Sequence, residues 1–342
     1  MGSRRHAPRA LVVGAGLTGA ALAWTATRAG LEVHVVSAER PASQGTSLAP
    51  GIVHGLGPPG GILRWAGLSD AELEGEARRV RQGHEILREV LLAARAHCGY
   101  RRLGHRMLLP PGLEQRAGDL AGRLRRAGFE VDVESTERSV VLSSRREALV
   151  SPRRLVFELL AQARAGGAVL RQGGVRPAQQ AGDGGQVIIG GRIETFDRVY
   201  WATGGPPPGG TGAQAACTGR MVLRQSFAAG EAALDEVLVA EDGDLALVPD
   251  PQGRSRVVLL RRGVESRDAG LCWPQPPEAW GRWMGPVVHQ RLAEAWALPM
   301  DRLAGGARPQ NTLTGLDGWP VCAVLGAAGQ LVEGDLPVPS AT

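Results

Sequence analysis

Short apolar runs and one helical repeat of apolar positions alternate in the first 36 residues. Residues 10–16 read ALVVGAG, an apolar run that ends in glycine, and residues 17–29 place apolar side chains at helical spacing. Residues 31–36, LEVHVV, form a second run that is rich in β-branched residues. Two strands joined by a crossover helix form a parallel βαβ unit, so we predict this unit here.

Helix-start signals mark two later helices. Ser69 and Glu72 form a capping box at the start of an amphipathic pattern that continues to about Cys98. Ser151 followed by Pro152 is typical of a helix N-cap with proline at the first helical position. We therefore predict helices after Ser69 and after Ser151.

Strands dominate beyond a glycine- and proline-rich segment at 206–215. Before it, Gly190-Gly191 predicts a hairpin turn, and DRVYWAT (197–203) predicts a buried strand. The change of pattern predicts an α/β class, α+β overall: a Rossmann-like domain with a parallel sheet and a mostly antiparallel second domain. We assign 1–68, 145–210 and 300–342 to the first, discontinuous domain, and 69–144 and 211–299 to the second.

The sequence between the first strand and the first helix is a GxGxxG motif. The first glycine permits a tight turn, the second lets a pyrophosphate approach the amides of the helix N-terminus, and the third lets helix and strand pack closely. The motif predicts dinucleotide binding; the alternative is a glycine turn in an ordinary α/β fold. The predicted contacts are Gly14, Gly16, Leu17, Thr18 and Gly19.

The acidic residue that binds the ribose in such motifs is displaced. Its place at the end of the second strand holds Ser37, and Glu39 follows two residues later. Either Glu39 binds the ribose, or Ser37 and the backbone bind it and Glu39 is solvated.

Composition excludes several classes of protein. Hydrophobic residues make up 43% and charged residues 21%, as in globular proteins, and no apolar run approaches the roughly 20 residues of a membrane span. All 39 basic residues are arginine, against 34 acidic residues, for a net charge of +5. Because no long run of like charge occurs, a solvated surface is favoured over a basic binding face.

The cysteines and histidines predict no metal site. The four cysteines are far apart and form no CxxC pair, and the seven histidines are equally scattered. The basic segment before Leu11 leads directly into a strand, so we expect no leader peptide and a cytoplasmic protein. The cysteines are Cys98, Cys217, Cys272 and Cys322.

Several blocks follow one another along nearly the whole chain: VVGAGLTGAALAWTATRAGLEVHVV (12–36), PASQGTSLAPGIVHG (41–55), SPRRLVFELLAQARAGGAVL (151–170) with GGV (173–175), DRVYWATGG (197–205) and GGARPQNTLTGLDGWPV (305–321). Their order and spacing are more specific than any one of them. Together they resemble the FAD-dependent oxidoreductases of the D-amino-acid oxidase and glycine oxidase family.

This resemblance implies that FAD is the cofactor and that the first domain binds it, with the second as substrate or cap domain. It implies that the loop after the second strand cradles pyrophosphate and flavin, that Val175 holds the adenine through its backbone, and that a later strand end lies beside the cofactor. The alternative for 44–61 is a surface loop. The loop residues are Ser43, Gly45, Thr46 and Ser47, and the strand-end residues are Ala202, Thr203 and Gly204.

The resemblance also implies a substrate anchor. Arg308 stands before Pro309, where the family has an arginine for the substrate carboxylate, and a guanidinium binds a carboxylate through two hydrogen bonds. His54 lies in residues 41–55, which stand where the family has its flavin loop and are called the flavin loop below, and it is a candidate for facing the substrate. The alternatives are a surface arginine and a packed or solvated loop histidine.

The C-terminal sequence departs from the family. Members continue after the Asp-Gly-x-Pro block into a glycine-rich strand, turn and helix whose amides meet the flavin pyrimidine ring. This chain continues with GAAGQLVEGDLPVPSAT (326–342). We therefore expect the last helix and its hydrogen-bond donors to be missing.

The function that the resemblance implies is oxidation of an amine or amino acid, with hydride transfer from the α-carbon to flavin N5. Residues 37–51 are also similar to the flavin domain of the enzyme that modifies the tRNA wobble uridine, so a tRNA-borne carboxymethylaminomethyl group is an alternative substrate. A third possibility is a degenerate family member that binds FAD weakly and acts as a partner subunit.

Overall fold

A computed structural model describes residues 7–43, 46, 49, 51–53, 67–94, 98–109, 112–136, 139–178, 185–203, 220–228, 236–240, 245–249, 254–262, 310–312 and 321–335. Its helices are α1 (Leu17–Arg28), α2 (Asp70–Ala94), α3 (Glu114–Arg126), α4 (Pro152–Ala165) and α5 (Val321–Asp335). Its strands are β1 (Arg9–Val13), β2 (Glu32–Ser37), β3 (Arg101–Arg102), β4 (Gly104–Leu109), β5 (Asp132–Thr136), β6 (Ser139–Ser144), β7 (Ala148–Leu149), β8 (Val169–Gln172), β9 (Val175–Pro177), β10 (Gly185–Ile189), β11 (Arg192–Phe196), β12 (Arg198–Trp201), β13 (Arg220–Ala228), β14 (Glu236–Ala240), β15 (Leu245–Pro249), β16 (Arg254–Arg262) and β17 (Gln310–Thr312).

A parallel sheet with the strand order β12-β1-β2-β8 contains the predicted βαβ unit. Helix α1 connects β1 to β2, and Val12 of β1 stands opposite Val35 of β2. Alternate residues of β1 pack on opposite sides: Val12 lies in the core beneath the helices, and Leu11 and Val13 lie in a second core. Burial on both faces explains why these strands are almost continuously apolar.

Two helix starts have the predicted caps. At the start of α2, the Ser69 amide donates to Glu72 Oε2 at 2.7 Å and the Glu72 amide donates to Ser69 Oγ at 3.3 Å. At the start of α4, Ser151 Oγ accepts the Arg154 amide at 3.5 Å, and Pro152 is the first helical residue. Each cap satisfies amides that have no partner within the helix.

An antiparallel sheet, with the strand order β11-β10-β9, covers the face of the parallel sheet opposite to the helices. Its hairpin turns at Gly190-Gly191, as predicted. The chain then returns through β12 to the side of β1, where the Ala202 amide donates to the Val13 carbonyl at 2.8 Å. The buried side chains of this second core are Leu11, Val13, Val36, Val187, Ile189 and Phe196.

The second large sheet has eight described strands in the order β17-β13-β16-β15-β14-β4-β6-β5. Every pairing in it is antiparallel except that of β14 with β4. This sheet and the parallel sheet confirm the predicted fold class. Helix α2 contributes side chains to the core beneath α1 and to the core beside α3, so the domain boundaries stay a prediction.

The expectation that no helix follows the late Asp-Gly-x-Pro block is wrong. Helix α5 packs against α2 and α1, and its residues from Val321 to Leu325 are all buried. Backbones approach closely at the crossing with α2: a Cβ built on Gly326 would lie 1.9 Å from the Arg79 carbonyl oxygen. None of the described helices combines the length and the apolar character needed to cross a membrane.

Candidate functional site

The turn between β1 and α1 requires glycine at its first position. Gly14 has φ +107°, a conformation that side chains disfavour, and its amide donates to the Val36 carbonyl at 2.8 Å. A Cβ on Gly14 would lie 2.4 Å from the carbonyl oxygen of Ala202. Only a residue without a side chain therefore lets β12 and the turn come together.

The other two glycines of the motif have different surroundings. A Cβ on Gly19 would lie 1.9 Å from the Gly14 carbonyl oxygen, so Gly19 brings helix and turn into contact. A Cβ on Gly16 would have only Thr46 Oγ1, at 3.1 Å, within 4 Å among the described residues. Gly14 and Gly19 thus serve the fold, and the missing side chain at Gly16 makes room for the Thr46 hydroxyl beside the helix N-terminus.

The N-terminus of α1 presents amides to a ligand. The N-cap Gly16 offers no side-chain cap, and the first turn holds no acidic residue. The Leu17 amide donates to Thr46 Oγ1 at 2.9 Å in a buried contact. The amides of Thr18 and Gly19 have no acceptor within the helix, because the first amide that bonds within it is that of Ala20, to the carbonyl of the N-cap Gly16 at 2.9 Å. An anion is favoured at such an end by these amides and by the helix dipole.

The loop after β2 is held against the glycine turn. The Ala42 amide donates to the Ala15 carbonyl at 3.0 Å, and Ala42 is buried with φ +54°. Ser43 Oγ donates to Glu39 Oε2 at 3.1 Å on the exposed side of the loop. Ser37 is the last residue of β2. The structure therefore brings Ser37, Glu39 and Ser43 to the end of β2 that adjoins the motif, and their contacts to ribose and pyrophosphate stay a prediction.

The remaining described candidates lie on either side of this turn. The Gly173 amide donates to the Ser37 carbonyl at 2.9 Å, which brings the start of β9, and so Val175, beside the end of β2. Ala202 and Thr203 follow β12, next to Gly14. The candidates Gly45, Ser47, His54, Gly204 and Arg308 lie outside the described residues.

A second helix N-terminus adjoins the same loop and was missed from the sequence. The Val321 and Cys322 amides of α5 donate to the carbonyls of Ile52 and Val53 at 2.8 and 3.0 Å. On its other side, the Val53 amide donates to the Ala148 carbonyl of β7 at 2.8 Å. Segment 51–53 is therefore bonded on both sides. The apolar run that begins directly after Pro320 was the available signal.

The described cysteine thiols do not suit nucleophilic chemistry. Burial raises the pKa of Cys98 to about 11. Burial, and then the nearby Glu147 carboxylate, raise the pKa of Cys322 well above its usual value. Both thiols are buried, uncrosslinked and protonated at neutral pH, so neither of these two described cysteines suits a redox or nucleophilic step. Within the described part of the chain, no group of three or more His, Cys, Asp and Glu side chains is arranged to hold a metal ion.

Comparison with protein families gives one match, to the family described as FAD dependent oxidoreductase (DAO), over residues 9–325. The match includes the glycine turn, the flavin loop and the start of α5. Among curated proteins, none matches the sequence.

Solved structures share the fold at low sequence identity. Glycine oxidase from Geobacillus kaustophilus is 17% identical with a TM-score of 0.65, covering 98% of this chain and 96% of its own. L-proline dehydrogenase from P. horikoshii is 14% identical with a TM-score of 0.64, covering 98% and 96%. Iminodiacetate oxidase from Chelativorans sp. BNC1 is 18% identical with a TM-score of 0.58, covering 97% and 98%. At these identities the likeness shows the fold.

Proposed function

This chain belongs to the family of FAD-dependent oxidoreductases, and on that premise we propose that it oxidises a carbon–nitrogen bond of an amine or amino acid. The observation that carries the proposal is the N-terminus of α1, where Gly16 has no side chain and the Leu17 amide donates to the buried hydroxyl of Thr46. This arrangement of glycine, amides and a hydroxyl suits a pyrophosphate, the group through which FAD is held at such a turn.

Thr46 has a defined part in this site. Its Oγ1 accepts the Leu17 amide at 2.9 Å, so the hydroxyl hydrogen points away from that amide and is available to a phosphate oxygen. The amides of Thr18 and Gly19 supply further donors in the first turn of the helix. The residues present therefore fit the cofactor, with Thr46 as the contact from the flavin loop.

The proposed substrate class is suggested by the compounds after which the structurally similar enzymes are named. Glycine, iminodiacetate and L-proline each carry a carboxylate and an amine nitrogen on the same carbon, the α-carbon. Arg308 is proposed to hold such a carboxylate and His54 to face the substrate. FAD, when bound, accepts the hydride that leaves the substrate's α-carbon for flavin N5. The chain's task is to orient that C–H bond and to exclude water.

Anaerobic reduction tests the proposal. FAD-loaded protein is mixed with glycine, iminodiacetate, L-proline and further secondary amines, and the flavin absorbance at about 450 nm is followed. We expect bleaching by at least one carboxylate-bearing amine.

The Arg308→Lys variant tests the substrate anchor. It keeps the positive charge but loses the planar guanidinium fork, so its main defect should be a higher KM, corresponding to a loss of about 1.5–3 kcal/mol of substrate binding free energy.

Two results would contradict the proposal. Holoprotein that dithionite bleaches and no amine reduces would favour the degenerate, partner-subunit alternative. An unchanged KM in Arg308→Lys would place that arginine away from the substrate.

A further inference from the structure

A buried acid–base pair lies next to the flavin loop and has no part in the site described above. His105 Nδ1 and Glu147 Oε2 are 3.3 Å apart, and their side chains are 3% and 1% exposed. Glu147 Oε1 also accepts the Ala148 amide at 2.9 Å. A carboxylate removed from water this completely is retained only where partners compensate for its lost hydration.

The pair connects three elements through main-chain hydrogen bonds. His105 lies on β4 of the eight-stranded sheet, and Glu147 directly precedes β7. The Ala148 carbonyl accepts the Val53 amide, and the Val53 carbonyl in turn accepts the Cys322 amide of α5. A displacement of Glu147 is therefore passed to Val53 without an intervening flexible side chain.

Segment 51–53 has little freedom to adjust. Gly51 has φ +79°, and a Cβ built on it would lie 2.0 Å from the Val150 carbonyl oxygen. The Val150 amide donates to the Gly51 carbonyl at 2.9 Å. The segment thus forms one isolated β-bridge, between Ile52 and Leu149, and is bonded to the chain around β7 on one side and to α5 on the other. The next residue in the sequence is His54.

We propose that Glu147 and His105 are a positioning pair that fixes segment 51–53, and that FAD binding depends on this segment being held in place. The inference rests on the proposed function, because the loop matters only if FAD binds there. Neither residue touches the reacting atoms; the pair acts through the main chain of Ala148 and Val53.

The test compares Glu147→Gln with Glu76→Gln as a matched control. Glu147→Gln keeps the shape and the acceptor for Ala148 but replaces the carboxylate oxygen that faces His105 Nδ1 with an amide nitrogen. Glu76 pairs with Arg79 at 2.7 Å within α2. We expect Glu147→Gln to weaken FAD binding by about tenfold or more and to change the visible circular dichroism of bound FAD. Glu76→Gln should stay within about twofold of wild type.

The outcomes separate the inference from the proposed function. A Glu147→Gln protein with a lower Tm but wild-type FAD affinity and visible dichroism would overturn the inference alone. A wild-type protein that binds no FAD would overturn the proposed function and the inference together.

If Glu147→Gln does not fold, hydrogen exchange of the wild-type protein tests the inference instead. Hydrogen exchange of peptides covering 51–53 and 147–150 is measured with and without FAD. The inference predicts slower exchange in both peptides when FAD is bound, and exchange that FAD leaves unchanged in both would overturn it.

Discussion

The N-termini of α1 and α5 are both bonded to the loop after β2, yet in different ways. At α1, one first-turn amide, that of Leu17, donates to a side-chain hydroxyl of the loop. At α5, the amides of Val321 and Cys322 donate to loop carbonyls. While it accepts a hydrogen bond from an amide, a hydroxyl can also donate one to a ligand, whereas a carbonyl can only accept hydrogen bonds. The first N-terminus is therefore available to an anion, and the second is used to hold the loop.

The largest effect should come from Gly19→Ala, which tests the packing behind the α1 N-terminus. The new Cβ would lie 1.9 Å from a backbone oxygen, that of Gly14, which cannot move without separating helix and strand. We expect a loss of about 3 kcal/mol of unfolding free energy, read from thermal or denaturant unfolding. Gly118→Ala on α3, where nothing lies within 4 Å, is the control and should be neutral or stabilising. Equal stability of the two variants would refute the tight contact.

Gly326→Ala tests the role of α5 in the same way. Its Cβ would meet the Arg79 carbonyl oxygen at 1.9 Å, so α5 must move away from α2, at a cost of about 2 kcal/mol. Gly334→Ala, at the open end of the same helix, is the control. A variant that keeps its Tm but loses FAD would instead make α5 part of the cofactor site, and the contrast between the two N-termini would be wrong.

The local elements were predictable from the sequence because their signals lie within a few residues. The capping box at Ser69 and the proline after Ser151 each predict a helix start, and Gly190-Gly191 predicts a hairpin turn. None of these predictions needs information from the rest of the chain. Helix α5 was missed because its first turns are buried on all sides, and so they lack the polar face by which a helix is recognised.

The parts of the site that depend on distant contacts could not be predicted. The Thr46–Leu17 hydrogen bond joins residues 29 positions apart, and the Glu147–His105 pair joins residues 42 apart. Nothing in the local sequence of Glu147 distinguishes it from a surface glutamate. The sequence supplied both Thr46 and Leu17 as candidate cofactor residues. The hydrogen bond between them became visible only in the fold, which brings the loop and the helix together.

A smaller effect is expected for Thr46→Val, which removes the hydroxyl that distinguishes α1 from α5. The variant leaves the Leu17 amide without its acceptor, at a cost of about 1 kcal/mol of stability. It also loses the donor to phosphate, so FAD affinity should fall by about tenfold, as measured by titration. Thr46→Ser keeps the hydroxyl and should retain most of the affinity. If Thr46→Val binds FAD like wild type, the hydroxyl has no contact with the cofactor.

The smallest effect is expected for Glu194→Gln. Glu194 pairs with Arg171 on the face of the parallel sheet opposite to the helices, and the variant serves as a reference for the changes at both helix N-termini. Arg171 donates two hydrogen bonds, at 2.9 and 3.0 Å, to Glu194, and they lower the pKa of that carboxyl. Because the folded-state pKa is lowered, the stabilisation is present at neutral pH and is lost as the pH falls through that value. Glu194→Gln should cost about 1 kcal/mol at pH 7, and its difference from wild type should shrink in acid. A difference in unfolding free energy between the variant and wild type that is the same at all pH values would contradict this assignment. The FAD affinity of the variant should equal that of wild type.

The central claim is that the open N-terminus of α1 holds the FAD pyrophosphate, and equilibrium titration of wild type and Gly16→Val with FAD tests it most directly. The valine Cβ would lie 3.1 Å from Thr46 Oγ1, with no other described atom within 4 Å, so a shift of a few tenths of an ångström should accommodate it and the fold should be kept. Loss of two charge-assisted hydrogen bonds predicts FAD binding weaker by about 100-fold or more, at an unchanged far-UV circular dichroism spectrum. Equal FAD affinity in the two proteins would contradict the account.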